Sequence, residues 1–583
     1  MSVKLGIFNG EDKPDVKTAW EFYEKGKEFN DQVNLDETVK VNENFFIGKQ
    51  WEGVQANGLP TPVFNFMKRV VGFIVATITS DNIKVNASAL ENTPATEALA
   101  DPVRVVNEEF EALIEHNNVP AINREYARNA AVDGDGCTYT YWDDSVPIGG
   151  GMNGAIKTEI LPNTNVLFGN PNDRDVQDQP YIQIVTREIA RRVMKRAKEN
   201  HSKDWEKIKT DDNAIGAQDD AKRTDDKVTV LTTMWKDEDT GEVWCYESTE
   251  DCEIRAPWNL NIHLYPITWL NWDYVRDSYH GQAMITGLIP NQIFVNKAWA
   301  MSMLSMMRTA WPKFVYDRTR VTKWDNRVGA AIGINGGDPS TVAKVIDPAS
   351  ISPQISQFIE LAISQSEECL GATKVALGET RPDNTSAIIA LQRAAATPSE
   401  MTKQNLYKSV EDLFRIYLEF MANYYGKRKV DMAPPPQLVQ TFQMVGMDVP
   451  ETVQMDFDFD QLKELPMSLK LDVGASSYYS EIAAMQTLDN LLMNQQIDVV
   501  QYLERIPDGN IPRRQALINE LKQKMQAAQQ AQMQQAMPEE EAAPPPMETP
   551  ISSVPEKMEV KGGRGYGGLQ RAINRSGSTE GIV

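Results

Sequence analysis

The feature that most narrows the possible folds is a long stretch with the apolar periodicity of a helix, in the C-terminal half of the chain. Large apolar residues recur there at spacings of three and four: Leu406, Val410, Leu413, Tyr417, Phe420 and Tyr424. This spacing predicts a helix with one buried face. Residues 371–385, just before it, are rich in Gly, Pro and Asn, and Ser386 is a suitable cap for a helix that starts at Ala387 and is interrupted near Pro398. The sequence therefore predicts a loop carried on a long helical support.

Helical and extended patterns alternate along the rest of the chain. The apolar spacing predicts further helices over residues 15–48, 63–80, 101–119, 186–200, 283–310 and 355–370. Residues 228–247 predict a β-hairpin and residues 262–270 a following strand, so that residues 225–272 form a small β insertion between two helices. The predicted fold class is α+β.

Size, charge and cysteine content exclude several classes of protein. A chain of 583 residues with 41% hydrophobic residues is long enough for several folded units with sizeable cores. The net charge of −23 argues against a broad basic face that wraps nucleic acid. Four scattered cysteines indicate a reducing compartment, and the most apolar run, residues 70–78, is too short to span a membrane. We expect a soluble protein that is not secreted.

A search for catalytic and cofactor motifs finds none. No Gly-Lys pair is followed by Ser or Thr, as a nucleotide-binding P-loop requires, and there is no G-x-S-x-G. Cys245, Cys252 and His263 lie near one another in sequence, but two cysteines across a hairpin are more often packed in a core than bound to zinc. Residues 133–136 (Asp-Gly-Asp-Gly) lack the later ligands of a calcium loop and predict a turn. We therefore predict no enzyme activity, no metal site and no cofactor.

The most basic predicted helix is residues 186–200. Arg191, Arg192 and Lys195 are candidates for contact with a phosphate backbone. The alternative, which the pattern favours, is a solvated face whose basic side chains pair with acidic neighbours.

Three local sequences, in this order of elements, resemble the portal proteins (head-tail connectors) of tailed double-stranded DNA bacteriophages. They are Asn44–Trp51, Tyr279–Asn296 and Thr385–Leu391, the last with Ala387 where many members carry Gly. The resemblance covers about residues 20 to 535. It implies a ring, usually of twelve subunits, at one vertex of the capsid, which forms the channel for double-stranded DNA during packaging and ejection.

The resemblance also implies partners and a division of the chain. The implied partners are the terminase large subunit, a head-tail adaptor and the major capsid or scaffolding protein, with assembly in the host cytoplasm, a final place in the virion and no membrane. The implied regions are an N-terminal wing (1–180), a first stem helix (181–204), a β-rich clip (205–275), a second stem helix (276–310), a wing segment with a tunnel loop at 374–385 and the long helix (311–478), a helical crown (479–537) and a disordered tail (538–583).

Two basic residues on the implied tunnel loop, Lys374 and Arg381, are candidates for transient DNA contact, which Glu379 and Asp383 would keep weak. The sequence is also compatible with two other functions. One is a phage-associated nuclease or head-maturation protease whose site the sequence does not reveal. The other is a different head or adaptor structural protein, which would lack the β insertion between stem-like helices.

Overall fold

A computed structural model gives the fold of most of the chain, which divides into two compact units, residues 1–487 and 488–583. The structure describes residues 14–81, 83–89, 96–149, 152–211, 226–310, 314–325, 327–345, 354–370, 400–432, 442, 444, 453–463, 465, 467–473, 478–494, 496–506, 517, 518 and 521.

Twelve α-helices have both of their ends in these ranges. They are α1 (Val16–Gln32), α2 (Leu35–Ile47), α3 (Phe66–Ile78), α4 (Thr96–His116), α5 (Val119–Asp133), α6 (Ala190–Glu199), α7 (Met284–Ala310), α8 (Pro339–Val342), α9 (Gln354–Cys369), α10 (Glu400–Tyr424), α11 (Tyr478–Met493) and α12 (Val499–Arg505). Their ends follow local rules. Asp15 caps α1 by accepting a hydrogen bond from N of Thr18 at 2.8 Å, and α2 ends at Gly48, whose φ of 95° suits glycine.

Fourteen strands form five antiparallel sheets in the described residues. The strands are β1 (Ile83–Ala89), β2 (Asp135–Gly149), β3 (Met152–Leu161), β4 (Val166–Phe168), β5 (Tyr181–Ile189), β6 (Lys227–Lys236), β7 (Val243–Ser248), β8 (Glu253–Asn259), β9 (Ile267–Asn271), β10 (Phe314–Tyr316), β11 (Ala343–Val345), β12 (Lys427–Met432), β13 (Val453–Asp458) and β14 (Met467–Val473). Their orders are β4-β5-β6-β7-β8, β3-β2-β9, β1-β14, β10-β11 and β12-β13. The predicted α+β class is confirmed.

The predicted hairpin at residues 228–247 is confirmed as β6 and β7, which pair from Leu231 with Ser248 to Lys236 with Val243. The predicted grouping of residues 225–272 is wrong in one respect. Strand β9 pairs with β2, in register from Tyr139 with Ile267 to Asp135 with Asn271, and the hairpin instead extends a sheet begun by β4 and β5. The sheet to which each strand belongs depends on pairing between segments that are distant in sequence, and local sequence does not predict that pairing.

The predicted helix over residues 186–200 is wrong at its start. Residues 186–189 continue β5 and pair with β6, from Thr186 with Val230 to Ile189 with Lys227, and α6 begins only at Ala190. The side chains of Ala190, Val193 and Ala197 lie on the buried face of α6. The helical spacing therefore predicts the structure correctly from residue 190 onwards. Residues 186–189 are a strand because they pair with β6, which is distant in sequence.

The main core of the first unit surrounds α10. The predicted apolar face is confirmed: Leu406, Val410, Leu413, Tyr417 and Phe420 are buried, and Tyr424 at the end of the helix is half-buried against the same core. Phe414 meets Phe110 of α4 edge to face, with ring centroids 4.9 Å apart. The hydroxyl of Tyr417 lies 2.7 Å from Oγ1 of Thr158 in β3. The helix thus joins the α4 layer to the β2–β3 sheet.

The short sheet of β1 and β14 joins segments nearly four hundred residues apart in sequence. Seven residue pairs are in register, from Ile83 with Val473 to Ala89 with Met467. Asn107 of α4 fastens β1, because its Oδ1 accepts from N of Ala87 at 2.6 Å and its Nδ2 donates to O of Ala87 at 3.3 Å.

In the second unit a small apolar cluster lies around α12. Its buried members are Val500, Leu503, Ile506 and Ile518. Asp498 caps α12 with a capping box that involves Gln501.

Candidate functional site

The longest helix of the described chain, α7, is anchored by polar side chains on its buried face. Near its start, Nδ2 of Asn42 in α2 donates to Oγ1 of Thr286 at 3.0 Å and to O of Val132 at 2.9 Å. Asn42 is 1% exposed, so these bonds form away from solvent and an unpaired amide there would be costly. They join α2, α5 and α7 at one point.

A chain of amides continues this contact along α7. Nε2 of Gln292 donates to O of Phe64 at 2.8 Å and to Oδ1 of Asn296 at 3.0 Å, and Nδ2 of Asn296 donates to Oε1 of Gln50 at 2.6 Å. Gln50 in turn donates to O of Phe45 at 3.1 Å. We call Gln50, Gln292 and Asn296 the amide chain.

The amide chain brings together two of the segments that resemble portal proteins in sequence. Gln50 lies in Asn44–Trp51, and Asn296 ends Tyr279–Asn296. These contacts were not predicted from the sequence. A signal was present, because Leu288, Gln292 and Val295 follow a spacing of four and three, which places a polar glutamine on an apolar helix face.

The outer side of α7 and its neighbour α9 leaves large apolar side chains in solvent. Phe294, Met301 and Met307 of α7 are 49%, 62% and 59% exposed, and Phe358 and Leu361 of α9 are 61% and 50% exposed. The two helices are in contact, with Nδ2 of Asn291 donating to Oγ of Ser366 at 2.9 Å. Large apolar side chains exposed on two helices that contact each other are typical of a surface that another protein covers. We call these five residues the apolar surface.

A buried polar cluster lies where the chain enters α7. Oδ1 of Asp135 accepts from N of Gly281 and from Nδ2 of Asn271, both at 2.7 Å. Oδ2 of the same carboxylate lies 2.8 Å from Nδ1 of His280 and 3.3 Å from Nδ2 of Asn163. Asp135 and His280 are 1% and 4% exposed. The carboxylate therefore links β2, β9 and the segment before α7.

The bend at Gly134, which separates α5 from β2, places this carboxylate. Gly134 has φ of 102°, and a Cβ there would lie 2.7 Å from O of Gly281, so both the backbone conformation and the close approach require glycine. The predicted turn is confirmed. Next to it, burial raises the pKa of Asp133 to about 7, with Glu43 and Asp135 adding to the rise and Arg128 opposing it.

The candidate DNA-contact residues of α6 lie on its outer side. Arg191, Arg192 and Lys195 are all exposed, and Lys195 lies 3.7 Å from Glu199. Within the described ranges no carboxylate is within 4.0 Å of Arg191 or Arg192. Their position leaves them open to an anionic partner.

Besides the pair of Lys195 with Glu199, the acidic pairing that the pattern favoured occurs at Arg196, whose side chain is half-buried. Arg196 binds both oxygens of Glu188, at 3.0 and 3.2 Å, and its Nε lies 3.4 Å from Glu247. Burial raises the pKa of Glu247, and the charges of Arg196 and Arg255 oppose that rise. These pairs hold α6 against β5 and β7.

The predicted tunnel loop, including Lys374 and Arg381, lies outside the described residues, as does the predicted tail. The helix that follows the loop segment is well anchored. Nζ of Lys403 lies 2.5 Å from Oδ2 of Asp81, whose side chain is fully buried, and the hydroxyl of Tyr407 donates to the same oxygen. Burial, and then this hydrogen bond, raise the pKa of Tyr407.

Metal and membrane features can be judged for the described part of the chain. No group of three or more His, Cys, Asp or Glu side chains there could hold a metal ion. Cys245 and Cys252 are buried free thiols in separate apolar clusters, and His263 is exposed. None of the described helices is both long and apolar enough to cross a bilayer.

These observations describe an α+β protein in which long helices are fastened by buried polar contacts and one apolar surface is left open. Residues 250–431, which run from just before β8 into β12 and include α7, α9 and α10, match the model of the phage P22-like portal protein family. This match supports a phage portal protein and confirms the resemblance predicted from the sequence. The family is structural and non-enzymatic. No curated protein matches the chain.

Proposed function

We propose that this chain is the subunit of a portal ring at one capsid vertex of a tailed phage, through which double-stranded DNA passes during packaging and ejection. The observation that carries the proposal is the family match over residues 250–431. That region contains α7 and α9, whose apolar surface gives a second subunit a place to pack. A ring, usually of twelve subunits, would cover this surface.

The proposed regions keep the boundaries given by the resemblance. Residues 1–180 and 311–478 form the wing, 181–204 and 276–310 the stem, 205–275 the clip and 479–537 the crown. The clip would offer the docking site for the terminase large subunit during packaging and later for a head-tail adaptor, and the wing would face the major capsid or scaffolding protein. The subunits would assemble in the host cytoplasm and remain in the virion.

The negative net charge of the chain suits a channel through which DNA slides. The net charge of −23 limits adhesion of phosphates to the wall, since binding DNA tightly requires many neutralising Lys and Arg contacts. The few basic contacts would come from Lys374 and Arg381 on the tunnel loop and from Arg191, Arg192 and Lys195 on α6. Each would be weak and sensitive to salt.

Negative-stain images of the purified protein test the ring. We expect rings with a central hole and about twelve-fold symmetry. A monodisperse monomer that hydrolyses DNA or protein would refute the proposal and would favour a nuclease or a maturation protease.

A matched pair of variants tests the apolar surface. Phe358→Asp places a charge on the exposed apolar side of α9 and should prevent ring formation, because burying an unpaired carboxylate is costly. Ser356→Asp places the same charge two residues away, on the other side of the helix, and should leave rings intact. If both variants assemble normally, α9 does not lie in the subunit interface.

Neutralising the loop cations tests the DNA contact. Lys374→Gln combined with Arg381→Gln should change DNA retention or packaging yield while rings still form. Loss of rings in this variant would instead give the two residues a structural role.

A further inference from the structure

Residues 48–65, the segment between α2 and α3, carry a second set of exposed apolar side chains. Val54, Leu59, Val63 and Phe64 are 55%, 37%, 41% and 46% exposed. We call residues 48–65 the apolar loop. A ring needs a second surface of this kind, because subunits related by rotation meet through two different faces, one on each side of every subunit. The apolar surface of α7 and α9 supplies only one of the two.

Hydrogen bonds hold both ends of the apolar loop in place. Nε1 of Trp51 donates to O of Pro62 at 2.9 Å, across the base of the loop. Nδ2 of Asn65 donates to O of Phe45 at 3.1 Å and to O of Phe46 at 2.9 Å, which ties the loop to the end of α2. A loop closed in this way has little conformational freedom left to lose when it binds a partner.

Backbone turns fix the apolar side chains near the tip of the loop. N of Leu59 donates to O of Ala56 at 2.8 Å, and the two residues between them, Asn57 and Gly58, have φ of 47° and 83°. Positive φ at both central positions is typical of a type I′ turn. N of Val54 donates to the backbone oxygen three residues earlier, at 3.1 Å. The loop therefore presents Val54 and Leu59 to solvent on a fixed backbone.

The apolar loop and the α7 part of the apolar surface lie on opposite sides of α7. Gln292 donates to O of Phe64, and Trp299 stacks on the Phe64 ring with centroids 4.7 Å apart. Phe294 and Met301 each follow one of these two α7 residues by two positions, a rotation of about 200° around the helix axis. A subunit therefore cannot cover its own Phe294 and Met301 with its own loop.

We propose that the apolar loop of each subunit packs on Phe294 and Met301 of the next subunit. The inference rests on the proposed ring, which this contact, repeated head to tail, would close. It names the two faces of the α7 contact and gives the loop a second copy of this chain as its partner.

Charge favours a second copy of the chain at both faces. Two copies that each carry a net charge of −23 repel wherever charged faces meet. Glu52 is the one charged residue from Gln50 to Met67, and Lys297 is the one charged residue between the starts of α7 and Arg308. Charged residues make up 24% of the whole chain, so both segments are depleted in charge. Such depletion is typical of the core of a protein interface.

Paired cysteines test this contact. In a Cys369→Ser background the three remaining native cysteines are buried, so a short bis-maleimide reports on introduced thiols. Val54→Cys or Leu59→Cys is combined in one chain with Phe294→Cys or Met301→Cys, and the assembled protein is treated with the reagent. In at least one of the four combinations we expect a ladder of covalent oligomers on a denaturing gel, because every subunit is then linked to two neighbours.

Single-cysteine variants are the matched controls. Each alone should give no covalent oligomer, and co-expressed Val54→Cys and Met301→Cys subunits should give dimers and nothing larger. A covalent dimer from a single-cysteine variant would show contact between identical faces and would overturn the head-to-tail arrangement. Rings without linkage in all four combinations would overturn this inference and leave the proposed function standing. Absence of rings in the Cys369→Ser parent would instead refute the proposed function itself.

Discussion

Removing Asn296 should open the amide chain and loosen α7 by an amount that the structure allows us to estimate. Asn296→Ala deletes the donor to Oε1 of Gln50 and the acceptor for Nε2 of Gln292. Gln292 keeps its bond to O of Phe64 at 2.8 Å, so most of the cost falls on the Gln50 oxygen. A buried polar group left unpaired costs about 1–3 kcal/mol, which gives a total of about 2 kcal/mol.

Hydrogen exchange followed by mass spectrometry measures this change where it occurs. A loss of about 2 kcal/mol corresponds to about 30-fold faster exchange at amides that open together with α7. Peptides from α7 and from the chain around residue 50 should show the increase. Lys297→Ala, an exposed neighbour on the same helix, is the control and should change exchange by less than about twofold.

A double-mutant cycle that combines Asn296→Ala with Gln50→Ala separates the energy of the hydrogen bond between these two side chains from a general destabilisation of α7. The two substitutions share one hydrogen bond, so their combined effect should be smaller than their sum by about 1 kcal/mol. Full additivity, or an Asn296→Ala variant that exchanges like the parent, would show that the amide chain does not hold α7.

Three further predictions concern single side chains. Between about pH 4 and pH 7 a folded chain keeps the proton on Asp133 that an unfolded chain has lost, because the folded-state pKa is raised to about 7. Stability should therefore fall as pH rises through this window, and urea titrations of Asp133→Asn should show that slope reduced; an unchanged slope would refute it. Tyr417→Phe should cost about 1 kcal/mol in urea, since only the bond to Thr158 is lost; a loss above 3 kcal/mol would contradict this. Of the four thiols, Cys369 is exposed and should react fastest with a disulfide reagent in native protein, and Cys369→Ser should abolish the fast phase.

Helix faces and the hairpin could be predicted because their signals are local. The apolar face of α10 and the pairing of β6 with β7 follow from spacings within a few tens of residues. The start of α6 could not be predicted in the same way. Thr186 to Ile189 satisfy a helical pattern, yet pairing with β6 makes them a strand.

The polar anchors were not predicted because their partners are far apart in sequence. Asp135 and His280 are separated by 145 residues, and Gln50 and Asn296 by 246. Each looks like an ordinary polar residue when read alone. Only the tertiary fold brings the two members of each pair within hydrogen-bonding distance in the protein interior.

The pairing of β1 with β14 has a consequence for how the chain is made. The hydroxyl of Ser88 donates to O of Ser468, 380 residues later, and the main core draws on residues from both segments. At about 5–20 residues per second, a ribosome needs roughly 20 to 80 s to add those residues. Throughout that time β1 is without its partner strand and the core is incomplete. Edge strands and unfinished cores are prone to aggregate, so we expect newly made chains to depend on chaperones until synthesis has passed β14.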